Sequence, residues 1–305
     1  MSTYAAPLRD MQFVIKELVG LADITAMPDC AEVTEDLVDQ VLTEAGKFAA
    51  EVLDPLNITG DRQGARYIDS QVSAPPGFSA AYRQFIEAGW NGLSGETDYG
   101  GQNLPHVVAM PVQEMWNSSN MSFSLCPMLT SGVMEALGQH GSAEQLQRYM
   151  PQLNSGEWSG TMNLTEPQCG TDLGLIRSKA VKQGDGSYRI SGTKIFISAG
   201  EHDLADNIIH LVLARIEGAP AGIKFALGEN VKQSNWGERN NTRFPQTRMG
   251  VGAFYVNRFT AALIGRVLLA CQSFADEAES ETVRKGGRAH GYDRFSLYLG
   301  ERDRG

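Results

Sequence analysis

Long apolar runs are missing from this sequence of 305 residues, and its first ten residues hold neither a basic start nor an apolar segment. A membrane-spanning helix and a secretory signal need these features, so the sequence predicts a cytoplasmic protein with no membrane span. Cysteine is also scarce. The four cysteines show no C-x-x-C spacing, which argues against a zinc ribbon and a disulfide framework, and we predict no metal site.

Charge is unevenly distributed along the chain. Acidic residues outnumber basic ones before residue 224, and basic residues outnumber acidic ones after it. An acidic surface binds nucleic acid poorly, so we predict no nucleic-acid partner. The content of 42% hydrophobic and 20% charged residues is typical of a globular protein that is long enough for two domains.

Hydrophobic periodicity changes near residue 157, which predicts an α+β protein. Helical spacing precedes that point and short strand-like runs follow it. Pro55 is expected to end the first confident helix. The predicted helices are 36–53, 78–89, 106–117, 124–139 and 143–153, and the predicted strands are 158–164, 177–183, 187–191, 194–197 and 207–217.

The loop Thr165-Glu-Pro-Gln-Cys-Gly-Thr-Asp172 carries the clearest chemistry. Its glycine allows close approach of a ligand, and its threonines offer hydroxyls, which suits a ring system or a phosphate. Three other interpretations stay open at this point. The loop could be a polar turn capped by Asp172, Glu166 and Asp172 could form an acid–base pair, and Cys169 could be a nucleophile rather than a small packing residue.

Residues 34–223 resemble the acyl-CoA dehydrogenases. The match is carried by Tyr99-Gly-Gly-Gln-Asn-Leu-Pro105, Gly141-Ser-Ala-Glu-Gln-Leu-Gln-Arg-Tyr-Met-Pro151, Ser155-Gly-Glu-Trp158, the Thr-Glu-Pro loop and Ile190-Ser-Gly-Thr-Lys-Ile-Phe-Ile-Ser198. The resemblance implies an N-terminal all-α helical domain, then an antiparallel, β-barrel-like middle domain that is incomplete, with the C-terminal four-helix domain missing. It implies these boundaries: extension 1–33, helical domain 34–156, middle domain 157–223 and divergent tail 224–305.

The same resemblance implies FAD as cofactor. The residues it assigns to the flavin and acyl-CoA side are Met162, Leu164, Thr165, Gly170, Thr171, Phe196, Ile197 and Ser198. Phe196 takes the place of an aromatic residue that packs on the flavin ring, and Ser198 takes the place of a hydroxyl residue near its N5 atom. The competing interpretation of Phe196 is an ordinary core aromatic in a strand.

The activity that the resemblance implies is α,β-dehydrogenation of an acyl-CoA thioester. The implied subgroup includes the 3-(methylthio)propanoyl-CoA dehydrogenases of dimethylsulfoniopropionate degradation, and the implied partners are an electron-transferring flavoprotein and further copies of the chain. The family's glutamate base lies in the C-terminal domain, and no residue here matches it. We therefore expect a truncated, catalytically impaired fragment. The alternative is a non-catalytic remnant, pseudoenzyme or binding subunit. Two origins of the tail at 224–305 stay open, a shifted reading frame and a genuine alternative terminus.

Overall fold

The computed structural model of the chain describes residues 4–68, 71–184, 187–218, 224–229, 241–249 and 253–254. Helices form the first part. They are α1 (Leu8–Phe13), α2 (Leu21–Thr25), α3 (Glu35–Phe48), α4 (Asp54–Gln63), α5 (Phe78–Glu87), α6 (His106–His140) and α7 (Ala143–Ser155), with a small hairpin of β1 (Arg66–Ile68) and β2 (Gln71–Ser73) after α4. None of the described helices is long and apolar enough to cross a membrane.

The sequence predicted that Pro55 ends the first long helix, but the helix continues past this residue. Thr34 caps the start of α3, because its hydroxyl accepts a hydrogen bond from Leu37 N at 3.1 Å. The helix then passes through a π-helical turn, Ala49–Leu53, into α4. Pro55 then stands in the first turn of α4, directly after the π-helical turn, and proline has no N–H to contribute to the helical hydrogen bonds. The wider turn thus lets the chain accommodate a proline without ending the helix.

Helix α6 unites the two helices predicted at 106–117 and 124–139. Asn120 breaks its regular backbone with φ −156° and ψ 85°. The Asn120 side chain accepts a hydrogen bond from Phe123 N and donates one to Leu53 O, both at 3.1 Å. It therefore caps the second half of α6 from within and ties the kink to the π-helical turn.

Aromatic rings fill the centre of this helical layer. The Phe85 ring lies 5.8 Å from the rings of Trp116 and Phe123, and Phe48 lies 5.5 Å from Trp116. Tyr82 is buried beside them, and its hydroxyl donates to Gly156 O at 3.0 Å. Apolar burial of these rings holds the layer together.

A mixed sheet follows the helices, whereas the sequence predicted an antiparallel one. Its strands are β3 (Trp158–Asn163), β4 (Lys179–Lys182), β5 (Tyr188–Ile195), β6 (Asn207–Ile216), β7 (Lys224–Glu229), β8 (Asn241–Met249) and β9 (Ala253–Phe254). Their order is β8-β5-β4-β6-β7-β9, with β3 also paired to β6. The pairs β3–β6 and β4–β6 are parallel, and the other pairs are antiparallel.

The parallel pairing has a simple origin. The chain between β3 and β6 includes the β4–β5 hairpin, so it is long enough to return β6 in the same direction as β3. No closed barrel is found among the described strands, which corrects the barrel-like expectation. β7 to β9 also extend the sheet past residue 223. The ranges of the four predicted segments remain predictions. The sequence also predicts a weakly helical stretch at 261–281, which lies outside the described residues.

Candidate functional site

Two short segments bring the predicted site residues together. The loop segment, residues 162–171, leaves the end of β3, and the strand-end segment, residues 194–198, closes β5. Ile195 N donates to Thr165 O at 3.0 Å, which joins the two. On the helical side, a Cβ added to Gly132 of α6 would lie 3.1 Å from Met162 Cε, so α6 approaches the loop segment closely.

The loop segment forms a tight turn between Glu166 and Cys169. Their backbones exchange two hydrogen bonds, Glu166 N to Cys169 O at 2.8 Å and Cys169 N to Glu166 O at 3.0 Å. Cys169 is buried in this turn, as expected for a packing residue. Gly170 and Thr171 are exposed, and Asp172 Oδ1 accepts from Gly174 N at 2.9 Å, which confirms the capping role weighed for it.

Glu166 and Lys194 form a buried ion pair between the two segments. Lys194 Nζ lies 2.8 Å from Glu166 Oε1 and donates to Leu164 O at 2.9 Å, and the two side chains are 0% and 2% exposed. Glu166 also accepts from the backbone N–H groups of Arg177, at 2.7 Å, and Ser178, at 3.1 Å. Its carboxylate is thus enclosed by donors, so the acid–base pair of Glu166 with Asp172 is wrong.

The surroundings of Glu166 keep its carboxylate ionised. Burial disfavours the Glu166 carboxylate, but hydrogen bonds from Lys194, Ser178 and Arg177 outweigh burial and lower the pKa of Glu166 to about 2. For Lys194, burial lowers the pKa of the ammonium group, and the Glu166 carboxylate opposes that shift. A carboxylate with so low a pKa is a poor proton acceptor near neutral pH.

Phe196 is exposed in an unusual backbone conformation. Its side chain is 72% exposed and its φ is +58°, in the left-handed region that bulky residues rarely adopt. The interpretation of Phe196 as a core aromatic is therefore wrong. Ile197 next to it is buried, Ser198 is exposed, and Ser198 O accepts from Thr161 Oγ1 at 2.9 Å. Strain combined with an exposed aromatic is typical of a binding site.

The loop segment and the strand-end segment also carry hydroxyl groups. Thr165 is half-buried, and Thr171 and Ser198 are exposed. Within the described part of the chain, the hydroxyls of these three residues make no hydrogen bond. A Cβ on Gly170 would lie 3.6 Å from Thr165 Cγ2, so the glycine sits against the threonine. The segments therefore present one aromatic ring and several hydroxyls that are available to a ligand.

A network of buried polar side chains next to β3 was not predicted from the sequence. His202 Nδ1 accepts from Leu204 N at 3.2 Å, which assigns the ring proton to Nε2, and Nε2 lies 3.0 Å from Ser159 Oγ and 3.7 Å from Cys126 Sγ. Burial lowers the pKa of His202 to about 4 and raises the pKa of the Cys126 thiol to about 12. A neutral imidazole beside a protonated thiol is not an activated nucleophile.

Strand β3 supplies the signal that could have revealed this network. Ser159, Thr161 and Asn163 alternate along the strand and are all buried, where a core-facing strand would carry apolar residues. Asn163 Nδ2 lies 3.5 Å from Nδ1 of the buried His210. Burial, and then the nearby His202, lower the pKa of His210 to about 4. The period of two was visible in the sequence, but its partners on β6 were not.

A separate groove of about 540 Å³ lies on the helical layer. It runs along α3 and the π-helical turn beside Trp90, and its wall includes Phe48 and Lys47. No residue of the loop segment or the strand-end segment lines it. The candidate site is therefore the surface formed by those two segments rather than this groove.

Comparison with known proteins gives the same family for fold and sequence. The acyl-CoA dehydrogenase N-terminal domain matches residues 36–157. The chain is 48% identical over 222 residues to 3-methylmercaptopropionyl-CoA dehydrogenase of Ruegeria pomeroyi, an alignment that covers 73% of this chain and 38% of that protein. The chain belongs to the acyl-CoA dehydrogenase family.

Solved structures show the same fold at low sequence identity. Butyryl-CoA dehydrogenase from Megasphaera elsdenii superposes with a TM-score of 0.59 at 20% identity, covering 72% of this chain and 58% of that one. An acyl-CoA dehydrogenase from Bacillus anthracis complexed with FAD superposes with a TM-score of 0.57 at 19% identity, covering 72% and 37%. The chain spans less than half the length of four curated relatives that it matches.

Proposed function

We propose that the chain carries the flavin side of an FAD-dependent acyl-CoA dehydrogenase. The observation that carries the proposal is the exposed, left-handed Phe196 directly after the bond from Ile195 N to Thr165 O. An aromatic ring held out of the core beside unbonded hydroxyls suits a flat, polar-edged ring system such as a flavin. Binding of a phosphate alone would not explain the exposed aromatic ring of Phe196.

The residues present fit FAD. Thr165 and Ser198 would offer hydroxyls to the polar edge of the flavin and Phe196 would offer an aromatic surface, while Gly170 and Thr171 would offer a close backbone approach and a further hydroxyl. The full proposed set is Met162, Leu164, Thr165, Gly170, Thr171, Phe196, Ile197 and Ser198. Bound FAD would supply the acceptor for the hydride that leaves the β-carbon of an acyl-CoA.

The proposed substrate is a short or sulfur-bearing acyl-CoA thioester, with 3-(methylthio)propanoyl-CoA as the first candidate. Its support is the 48% identity to a protein named for that activity. Met128 on α6 is partly exposed and Met162 is half-buried, so methionine side chains are available for an apolar, sulfur-bearing chain. We further propose an electron-transferring flavoprotein as electron acceptor, assembly with further copies of the chain, and a cytoplasmic location.

A second candidate function is acyl-CoA binding without efficient catalysis. Glu166 is the one carboxylate in the loop segment and the strand-end segment, and its donors and its pKa of about 2 make it unsuitable as the base. The three glutamates of the weakly helical stretch predicted at 261–281, Glu277, Glu279 and Glu281, lie outside the described residues, and no sequence feature assigns any of them as the base. Since a positioned base contributes about 10²–10⁴-fold to a rate, we propose that this chain alone is catalytically impaired.

Flavin absorbance tests the proposal and separates the two functions. The full chain is mixed with FAD, freed of excess cofactor and titrated with 3-(methylthio)propanoyl-CoA and butanoyl-CoA. Retained yellow colour supports the flavin site, and bleaching by an acyl-CoA followed by turnover with an artificial acceptor supports the dehydrogenase. Colour without bleaching supports the binding function, and a colourless protein without turnover contradicts the dehydrogenase.

A pair of matched variants places the flavin. Phe196→Ala should lose most of the bound FAD, because the ring loses its aromatic support. Phe13→Ala is the control, since Phe13 is also an exposed phenylalanine, at 54%, but lies in α1. Equal flavin content in both variants would remove Phe196 from the site.

A further inference from the structure

We propose that Lys194 and Glu166 are a positioning pair that holds the flavin-binding loop in register, beyond any contribution to stability. The inference rests on the proposed function. Lys194 precedes Phe196 by two residues, and Glu166 follows Thr165 directly, so the pair joins the backbones that carry the two central flavin contacts. Neither residue belongs to the proposed contact set itself.

Lys194 has two separable tasks in this arrangement. Nζ lies 2.8 Å from Glu166 Oε1, which neutralises a buried charge, and it donates to Leu164 O at 2.9 Å, which fixes the peptide just before Thr165. Only the first task concerns charge balance. The second determines where the Leu164–Thr165 peptide lies, and hence where the Thr165 hydroxyl points.

Glu166 fixes the other side of the loop. Its carboxylate accepts from Arg177 N at 2.7 Å and Ser178 N at 3.1 Å, which anchors the far end of the loop to the start of β4. Gln168 Nε2 lies 2.5 Å from Glu166 Oε2, inside the turn. The carboxylate therefore closes the loop, while Lys194 sets its position relative to Phe196.

A neutral isosteric pair distinguishes positioning from stability. Buried ion pairs can often be replaced by neutral residues of similar volume without loss of stability, whereas removal of one partner alone is costly. Glu166→Gln with Lys194→Met keeps the volume and removes both charges. Methionine cannot donate to Leu164 O, so this double variant restores charge balance without restoring the loop position.

The experiment uses the full chain and two readouts, urea unfolding without cofactor and the dissociation constant of FAD from a fluorescence titration. We expect Lys194→Met to lower both stability and affinity. The double variant should regain most of the stability yet bind FAD about 10-fold or more weakly, the effect of losing one charge-assisted hydrogen bond. The control is Glu44→Gln with Lys47→Met, at an exposed ion pair whose charged atoms lie 2.7 Å apart. This double variant should change neither readout.

Glu166→Gln alone keeps the proposal testable if the double variant fails to fold. The glutamine amide oxygen in this variant can still accept from the backbone N–H of Ser178, and Lys194 still donates to Leu164 O, so the loop keeps its position and only the charge is lost. FAD should therefore bind within about threefold of the unsubstituted chain, clearly tighter than to Lys194→Met. Equal weakening by both single variants would overturn the proposal, as would a stable double variant with full affinity. If the unsubstituted chain binds no FAD, the proposed function fails and this inference with it.

Discussion

The helical layer and the strand ends of the sheet bury opposite kinds of side chain. Around Phe85, the helices bury rings and aliphatic groups, whereas between β3 and β5 the sheet buries Glu166, Lys194 and a row of hydroxyl and amide groups. Apolar contacts are non-directional and tolerate small shifts, but hydrogen-bonded charges fix atoms in defined places. The apolar half therefore supports the fold, and the polar half sets the geometry of the site.

The largest effect on this contrast should come from Lys194→Met. It leaves the Glu166 carboxylate buried without its cation, which we expect to cost about 3–5 kcal/mol of unfolding free energy. Urea unfolding followed by circular dichroism measures the change. Lys47→Met, in the exposed pair with Glu44, is the control and should be silent. A small loss at Lys194 would mean that water reaches the pair.

Acid should weaken the sheet half through Glu166. Its pKa of about 2 in the folded chain lies below the ordinary value of 4.5, so its contribution is complete above pH 4.5 and is lost as the pH falls towards 2. A shift of that size corresponds to about 3 kcal/mol. The difference in unfolding free energy between the unsubstituted chain and Glu166→Gln should therefore shrink in that range. A pH-independent difference contradicts this assignment.

A smaller effect is expected where the helical layer meets the sheet. Tyr82→Phe removes the donor to Gly156 O, which is 3.0 Å from the Tyr82 hydroxyl, and should cost about 1–2 kcal/mol because a buried acceptor loses its partner. Thermal unfolding measures it. Tyr67→Phe, at a tyrosine that is 47% exposed, is the matched control. No difference between the variants would indicate that another donor reaches Gly156 O.

The smallest effect has the opposite sign. Phe196→Gly should leave stability unchanged or raise it by about 1 kcal/mol, because glycine adopts the φ of +58° without strain and little burial is lost. FAD affinity should fall at the same time. Thermal unfolding without cofactor and a flavin titration together test this exchange. A variant that is less stable and binds FAD normally would reverse our interpretation of Phe196.

Local sequence patterns predicted the helical layer and most strands. They did not predict the features that depend on residues far away in the sequence. Ser142 caps α7, which begins at the predicted residue 143, and α3 begins within one residue of its predicted start at residue 36. Asn120 was unremarkable in sequence, because its role depends on Leu53 O, which is 67 residues away. The helix also continued past Pro55, since a π-helical turn is not visible in hydrophobic periodicity.

The candidate site was likewise predictable only in part. Its two segments were recognised as a resemblance, and their contact through Ile195 N and Thr165 O agrees with a shared surface. The pair of Glu166 and Lys194 was not foreseen, because 28 residues separate the two and neither lies in a charged pattern. The parallel pairing of β3 with β6 was also missed, as strand direction is fixed by the path of the chain rather than by composition.

Strand β3 has two sets of partners that leave the ribosome at different times. Toward the N-terminus, Gly160 N donates to Thr130 Oγ1 of α6 at 3.0 Å, a contact that spans only 30 residues. The Leu164 carbonyl can accept its hydrogen bond only after Lys194 has been synthesised, and β3 can pair with β6 only after β6 has been synthesised. During synthesis, β3 can therefore pack against the helical layer first. The loop that follows β3 acquires its shape only when β5 has emerged from the ribosome.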